Sequence, residues 1–145
     1  MPRVKRIKAA VVAVATMAGL AVSITPAQAA DICTAGGKGK YICKYGVTKH
    51  ELPNGEDEQF LVGTDYAVWW RISTNGSWSS WTSMGKPDPS GGGANAASSI
   101  TVTDWESGGE IRTNMVLKNT NGATVGKMRL DTGRGWLPWD YPNCC

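Results

Sequence analysis

The sequence predicts an all-β fold: two pseudo-symmetric antiparallel lobes stapled by disulfides. Three observations predict it. Beyond residue 29, apolar residues alternate with period two in short runs, and no stretch carries the 3.6-residue period of a helix. Glycine-containing turn signals separate the runs. The second half of the chain also repeats the pattern of the first, the usual mark of a repeated supersecondary unit.

The chain opens on an export signal. Arg3, Lys5, Arg6 and Lys8 make a positive start, residues 9–24 are uncharged and apolar or small, and Ala27-Gln28-Ala29 offers small residues for cleavage after Ala29. The apolar run is short for a membrane span, which needs about 20 residues. The predicted division is therefore a signal over 1–29, an N-terminal β lobe over 30–85, a Gly/Pro linker over 86–97 and a C-terminal β lobe over 98–145. The expected location is outside the cell.

Removing the signal changes the charge. The whole chain carries fifteen basic and twelve acidic residues, net +3. Four basic residues lie in the signal and every acid lies beyond it, so the remainder has eleven bases (fifteen less four) against twelve acids, net −1. A near-neutral surface offers no electrostatic grip on nucleic acid or an anionic membrane.

Cys33, Cys43, Cys144 and Cys145 all survive cleavage. Four cysteines in an exported chain read as two disulfides. A bridge between the adjacent Cys144 and Cys145 would be strained, so the favoured pairing joins Cys33 and Cys43 each to one of the terminal two. The alternative is a local Cys33–Cys43 bridge. With His50 the sole histidine and no Cys-x-x-Cys, no zinc site is expected, and no Asp-rich calcium loop occurs. No cofactor is expected.

The strand runs lie at 41–45, 59–62, 66–72, 78–84, 100–105, 111–117 and 123–130. Turn signals sit at Pro53-Asn54-Gly55, Asn75-Gly76, Asn121-Gly122 and Thr132-Gly133. The segment 85–93, rich in Gly and Pro, reads as a flexible connector. With a shift of 58, Arg71 meets Arg129, Thr74 meets Thr132, Trp78 meets Trp136 and Trp81 meets Trp139.

The run Phe60-Leu61-Val62-Gly63-Thr64-Asp65 together with Trp78-Ser79-Ser80-Trp81 resembles one blade of the tectonin-like and fucose-lectin-like β-propellers. The likeness covers residues 59–85, more weakly 111–139, and not 30–58. It implies propeller-blade-like units. Two blades cannot close a ring of four to eight, so edges need cover. The whole plan adds a short Cys-bearing start and His50-Glu51-Leu52-Pro53-Asn54-Gly55-Glu56 ahead of two β units. It is similar to the small adaptor subunits of the umbrella-shaped antibacterial toxin particles that Streptomyces secretes. That resemblance implies a non-enzymatic connector between a lectin-bearing subunit and a stalk subunit, with other secreted proteins as partners.

All seven tryptophans lie beyond the signal. Alternation puts Val68, Trp70 and Ile72 on one face of a strand and Trp69 and Arg71 on the other. Trp70 is then core, and the pairs Trp78/Trp81 and Trp136/Trp139 read as architecture. Trp69 and Trp105 are the binding candidates, with Asp65 beside Trp69. Exposed indoles can stack on a sugar, so the alternative function is a small carbohydrate-binding lectin. Catalysis has little to work with. There is no Gly-x-Ser-x-Gly elbow, and nothing brings together any two of Glu51, Asp65 and Glu110 as a glycosidase pair. The acidic run Glu56-Asp57-Glu58 reads as a solvated loop. The sequon Asn75-Gly76-Ser77 reads as a hairpin turn.

Overall fold

The structure is a computed structural model that describes residues 29–130 and 135–142. The expected export signal up to Gln28, the expected Thr132-Gly133 turn, and Cys144 and Cys145 lie outside the described residues.

The described chain is nearly all β and its strand pairs are antiparallel. It runs β1 (Ile32–Ala35), β2 (Gly39–Ile42), β3 (Val47–Glu51), β4 (Asp57–Val62), β5 (Val68–Thr74), β6 (Ser77–Trp78), β7 (Thr82–Gly85), β8 (Thr101–Ser107), β9 (Glu110–Lys118) and β10 (Thr124–Leu130). Single 3-10 turns lie over Gly36–Lys38 and Cys43–Tyr45. The strands form three groups. β1 and β2 make a hairpin; β3-β4-β5-β6, with β7 also on β5, make a larger sheet; β10-β9-β8 make a smaller one.

The turn chemistry explains the hairpins. Asn75 and Gly76 both take left-handed φ, 51° and 77°, as a two-residue turn between twisted strands requires. Gly108 and Gly109 do the same between β8 and β9, at 64° and 78°.

The two sheets share one core. Phe60, Val62 and Val68 from the larger sheet pack with Met115, Leu117 and Val125 from the smaller, and Ile42, Ala96 and Ile100 complete the cluster. The period-two pattern put these residues on common faces. Trp70 packs against the same cluster, and Trp136 meets Phe60 edge-on at 5.8 Å between ring centroids.

Four expectations need correction. Cys33 pairs with Cys43, ten residues apart, and not with a terminal cysteine. Hairpin register places Cys33 opposite Tyr41, and Cys43 lies just past the end of β2, where its N–H donates to Asp31 O at 2.9 Å. The two cysteines thus meet at the open end of the hairpin, with Cα atoms 5.1 Å apart.

The connector is a packed loop. Asp88 is buried at its centre: Oδ2 accepts the Ala94 N–H at 2.8 Å, and Oδ1 accepts the Ser90 N–H at 2.9 Å and its hydroxyl at 2.5 Å. Asn119 Nδ2 donates to Pro87 O at 3.0 Å, tying the loop to the β9–β10 turn.

Glu58 is not in a solvated loop; it lies on β4 with no exposed surface. The single predicted strand over 78–84 is two short ones, because Ser79, Ser80 and Trp81 leave the ladder.

The repeat reappears locally. The guanidinium of Arg71 lies 4.4 Å from the Trp78 ring centroid, and that of Arg129 lies 4.5 Å from Trp136. Trp81 Nε1 donates to Gly36 O at 2.8 Å, and Trp139 Nε1 to Met84 O at 2.9 Å. Each closing indole is therefore pinned to backbone that precedes its own unit. The sheets themselves differ in strand number, five against three.

Candidate functional site

Two polar constellations stand out, one between the sheets and one on the outer face of the larger sheet.

The first follows from register. His50 lies opposite Glu58 across β3–β4, while Asp104, Thr113 and Arg129 lie in one row across β8–β9–β10. The rows meet. Arg129 Nη1 and Nη2 both donate to the Glu58 carboxylate, the latter at 3.0 Å, and Trp70 Nε1 donates to Oε1 at 2.8 Å. His50 Nδ1 faces Glu58 Oε2 and its Nε2 faces Asp104 Oδ2, each at 3.0 Å. Thr113 Oγ1 donates to Asp104 Oδ1 at 2.8 Å. A neutral imidazole donates to only one of two flanking carboxylates, whereas the imidazolium donates to both.

The bidentate Arg129 occupies the Glu58 oxygens, and the Thr113 hydroxyl is engaged by Asp104 and Arg129. Chemically the row is a clasp between sheets. Removing one member would strand a buried charge.

The second constellation gathers two of the three binding candidates. Trp69 and Asp65 line a pocket of about 470 Å³ between the β1–β2 hairpin and the larger sheet. Trp69 Nε1 donates to Asp65 Oδ1 at 3.1 Å, and the Ala67 N–H donates to the same oxygen at 3.1 Å. Trp81, Lys38, Lys40 and Thr64 also line it.

Behind it, Arg71 is held by two bonds to Gln59 Oε1, at 3.0 and 2.7 Å, and lies 4.8 Å from the Trp81 ring centroid. Burial lowers the pKa of the Arg71 guanidinium from its ordinary value.

Two glycines set the pocket's walls. A Cβ at Gly63 would lie 2.6 Å from both Trp69 Nε1 and Asp65 Oδ1, and one at Gly39 would run into the Trp81 indole.

Trp105, the third candidate, does not line this pocket. It sits on β8, 38% exposed, with the Arg112 guanidinium 5.2 Å from its ring centroid. Glu51, Asp65 and Glu110 lie on β3, in the β4–β5 turn and on β9, and no contact brings any two together.

Sequence reasoning missed Glu58 and Arg129 as partners. The signal for Glu58 was present: it is two residues before Phe60 and four before Val62, hence on their buried face. Among the described residues no group of three or more His, Cys, Asp or Glu side chains is arranged to hold a metal ion. No helix among them is long and apolar enough to cross a membrane.

No family model matches the chain, and no curated protein matches it.

Proposed function

We propose that the protein is a secreted, non-enzymatic adaptor that joins subunits of an extracellular antibacterial assembly, as the small adaptors of Streptomyces toxin particles do. The observation that carries this reading is the distal part of the β8–β9 hairpin. Thr103 to Glu106 and Gly108 to Glu110 are all exposed. Among the described residues β8 pairs only with β9. On its other side, side-chain contacts reach it at Ile100 and Asp104. Past Asp104 the strand offers an open backbone edge and an exposed indole, the elements of strand addition by a partner. Aromatic anchors of this kind dominate protein–protein binding energy.

Residues 30–43 are folded on themselves as the disulfide hairpin and offer no free extended strand to a partner. The docking element is the β8–β9 arm.

The test is affinity isolation of the tagged mature chain from its native culture medium, with mass spectrometry of what co-elutes. Secreted subunits should co-purify with the wild type. Trp105→Ala, and Glu106→Pro on the open edge, where the register turns the N–H away from β9, should lose one of them while far-UV circular dichroism is unchanged. A free monomer with no co-purifying subunit overturns the reading.

A further inference from the structure

We propose that the pocket between the β1–β2 hairpin and the outer face of β4–β5 is a saccharide site that takes one pyranose residue. Its volume, about 470 Å³, lies within the range of small-molecule sites. The lining decides the ligand class. Trp69 and Trp81 supply apolar indole surface, and around them sit an acceptor, Asp65, two ammonium donors, Lys38 and Lys40, and a hydroxyl, Thr64.

A hydrocarbon ligand would leave these polar groups desolvated and unpaired. A phosphate or other compact anion would meet the Asp65 carboxylate. A pyranose presents an apolar C–H face for an indole and a ring of hydroxyls that both donate and accept. It is matched on every wall.

Asp65 retains capacity for such hydroxyls. Its Oδ1 accepts from Ala67 and Trp69, and Oδ2 takes only a longer contact with Trp69 Nε1, at 3.3 Å. An ionised carboxylate offers about four lone-pair sites.

The walls are fixed before any ligand arrives. Trp81 is bonded to Gly36 O on one side of the pocket and backed by Arg71. Trp69 is bonded to Asp65 across a glycine. Gly39 has an ordinary extended backbone, φ −70°, so backbone strain does not demand glycine there; the close approach of the Trp81 indole does. Walls held in this way lower the ordering cost of binding.

The test is titration of the mature protein, followed by tryptophan fluorescence and calorimetry, with the methyl glycosides of glucose, galactose, mannose, fucose and N-acetylglucosamine. At least one should bind saturably with a Kd of about 1 mM, the strength expected of a ligand with so few atoms. Thr64→Trp places a large side chain at an exposed lining position and removes no contact described above. It should weaken binding at least about tenfold, roughly 1.4 kcal/mol. Asp65→Asn should do the same, while Lys49→Ala, exposed on β3 and outside the lining, should bind as the wild type does. Absence of saturation for all five glycosides at about 20 mM, some twentyfold above the expected Kd, overturns the proposal. So does undiminished binding by a folded Thr64→Trp. Either result leaves the isolation experiment on the β8–β9 arm unaffected.

Discussion

Glu58 is the residue on which the two sheets most depend. It is wholly buried, and Arg129, Trp70 and His50 all point at its two oxygens. Glu58→Leu should destabilise the protein by about 3–5 kcal/mol in urea denaturation, because Arg129 would remain buried and unpaired. Replacing both members, Glu58→Leu with Arg129→Met, should recover most of that loss, since the desolvation penalty of two ions disappears with their attraction. A double variant no more stable than the single one would show that the clasp does not act as an ion pair.

Asp88 gives a pH signature. The Ala94 N–H, then the Ser90 hydroxyl, with smaller contributions from the Ser90 and Gly93 backbone, hold its pKa below the ordinary carboxylate value, against burial, which raises it. A depressed folded-state pKa means stability that is fully present above the unfolded value and lost as pH falls through the folded one. Thermal melts of wild type and Asp88→Asn should therefore differ most near neutrality and converge at acid pH. A gap independent of pH would assign the loss to geometry alone.

Neither role was legible from composition. Three consecutive acids after a Pro-Asn-Gly turn look solvated. Only the alternation extended back from Phe60 separates Glu58 from Glu56 and Asp57, and Arg129, its partner, is 71 residues away.

Among the elements, those with strong alternation were readable in the sequence. The cores of β4, β5, β8, β9 and β10 fall where apolar period and turn dipeptides place them. The hairpin at Asn75-Gly76 is likewise written in its turn chemistry. β1 and β3 were not legible: their polar residues dilute the pattern, and their sides are only half-buried. The disulfide followed from that omission, since without β1 nothing brings Cys33 beside Cys43.

The hairpin now carries a prediction of its own. A ten-residue loop closed in the unfolded chain is worth about 2–3 kcal/mol by loop entropy. Cys33→Ser with Cys43→Ser should lower the denaturation midpoint accordingly. If the pocket walls rely on the hairpin, the indole fluorescence of the folded variant should also shift. An unchanged midpoint would mean that contacts such as the Tyr41–Gly63 β-bridge and the Trp81–Gly36 hydrogen bond fix the hairpin without the disulfide.

At the scale of the whole molecule, the repeat suggests two autonomous halves, whereas the packing joins them. The first half supplies Phe60, Val62 and Val68 and the second supplies Met115, Leu117 and Val125 to one cluster. The Glu58–Arg129 pair and the Trp139–Met84 bond cross the same boundary. A half on its own would expose one face of its sheet and strand either a buried carboxylate or a buried guanidinium. Both costs fall on the same seam, so neither half has a route to partial stability. Denaturation of residues 30–145 should therefore be one cooperative transition, coincident by tryptophan fluorescence and far-UV circular dichroism. Residues 30–85 expressed alone should give an unfolded spectrum, and so should residues 98–145. Mixing the two pieces should restore strand signal, because the seam is assembled from side chains that each piece already carries. Two separated transitions, or a folded isolated half, would show that the repeat keeps its independence and that the shared core is secondary.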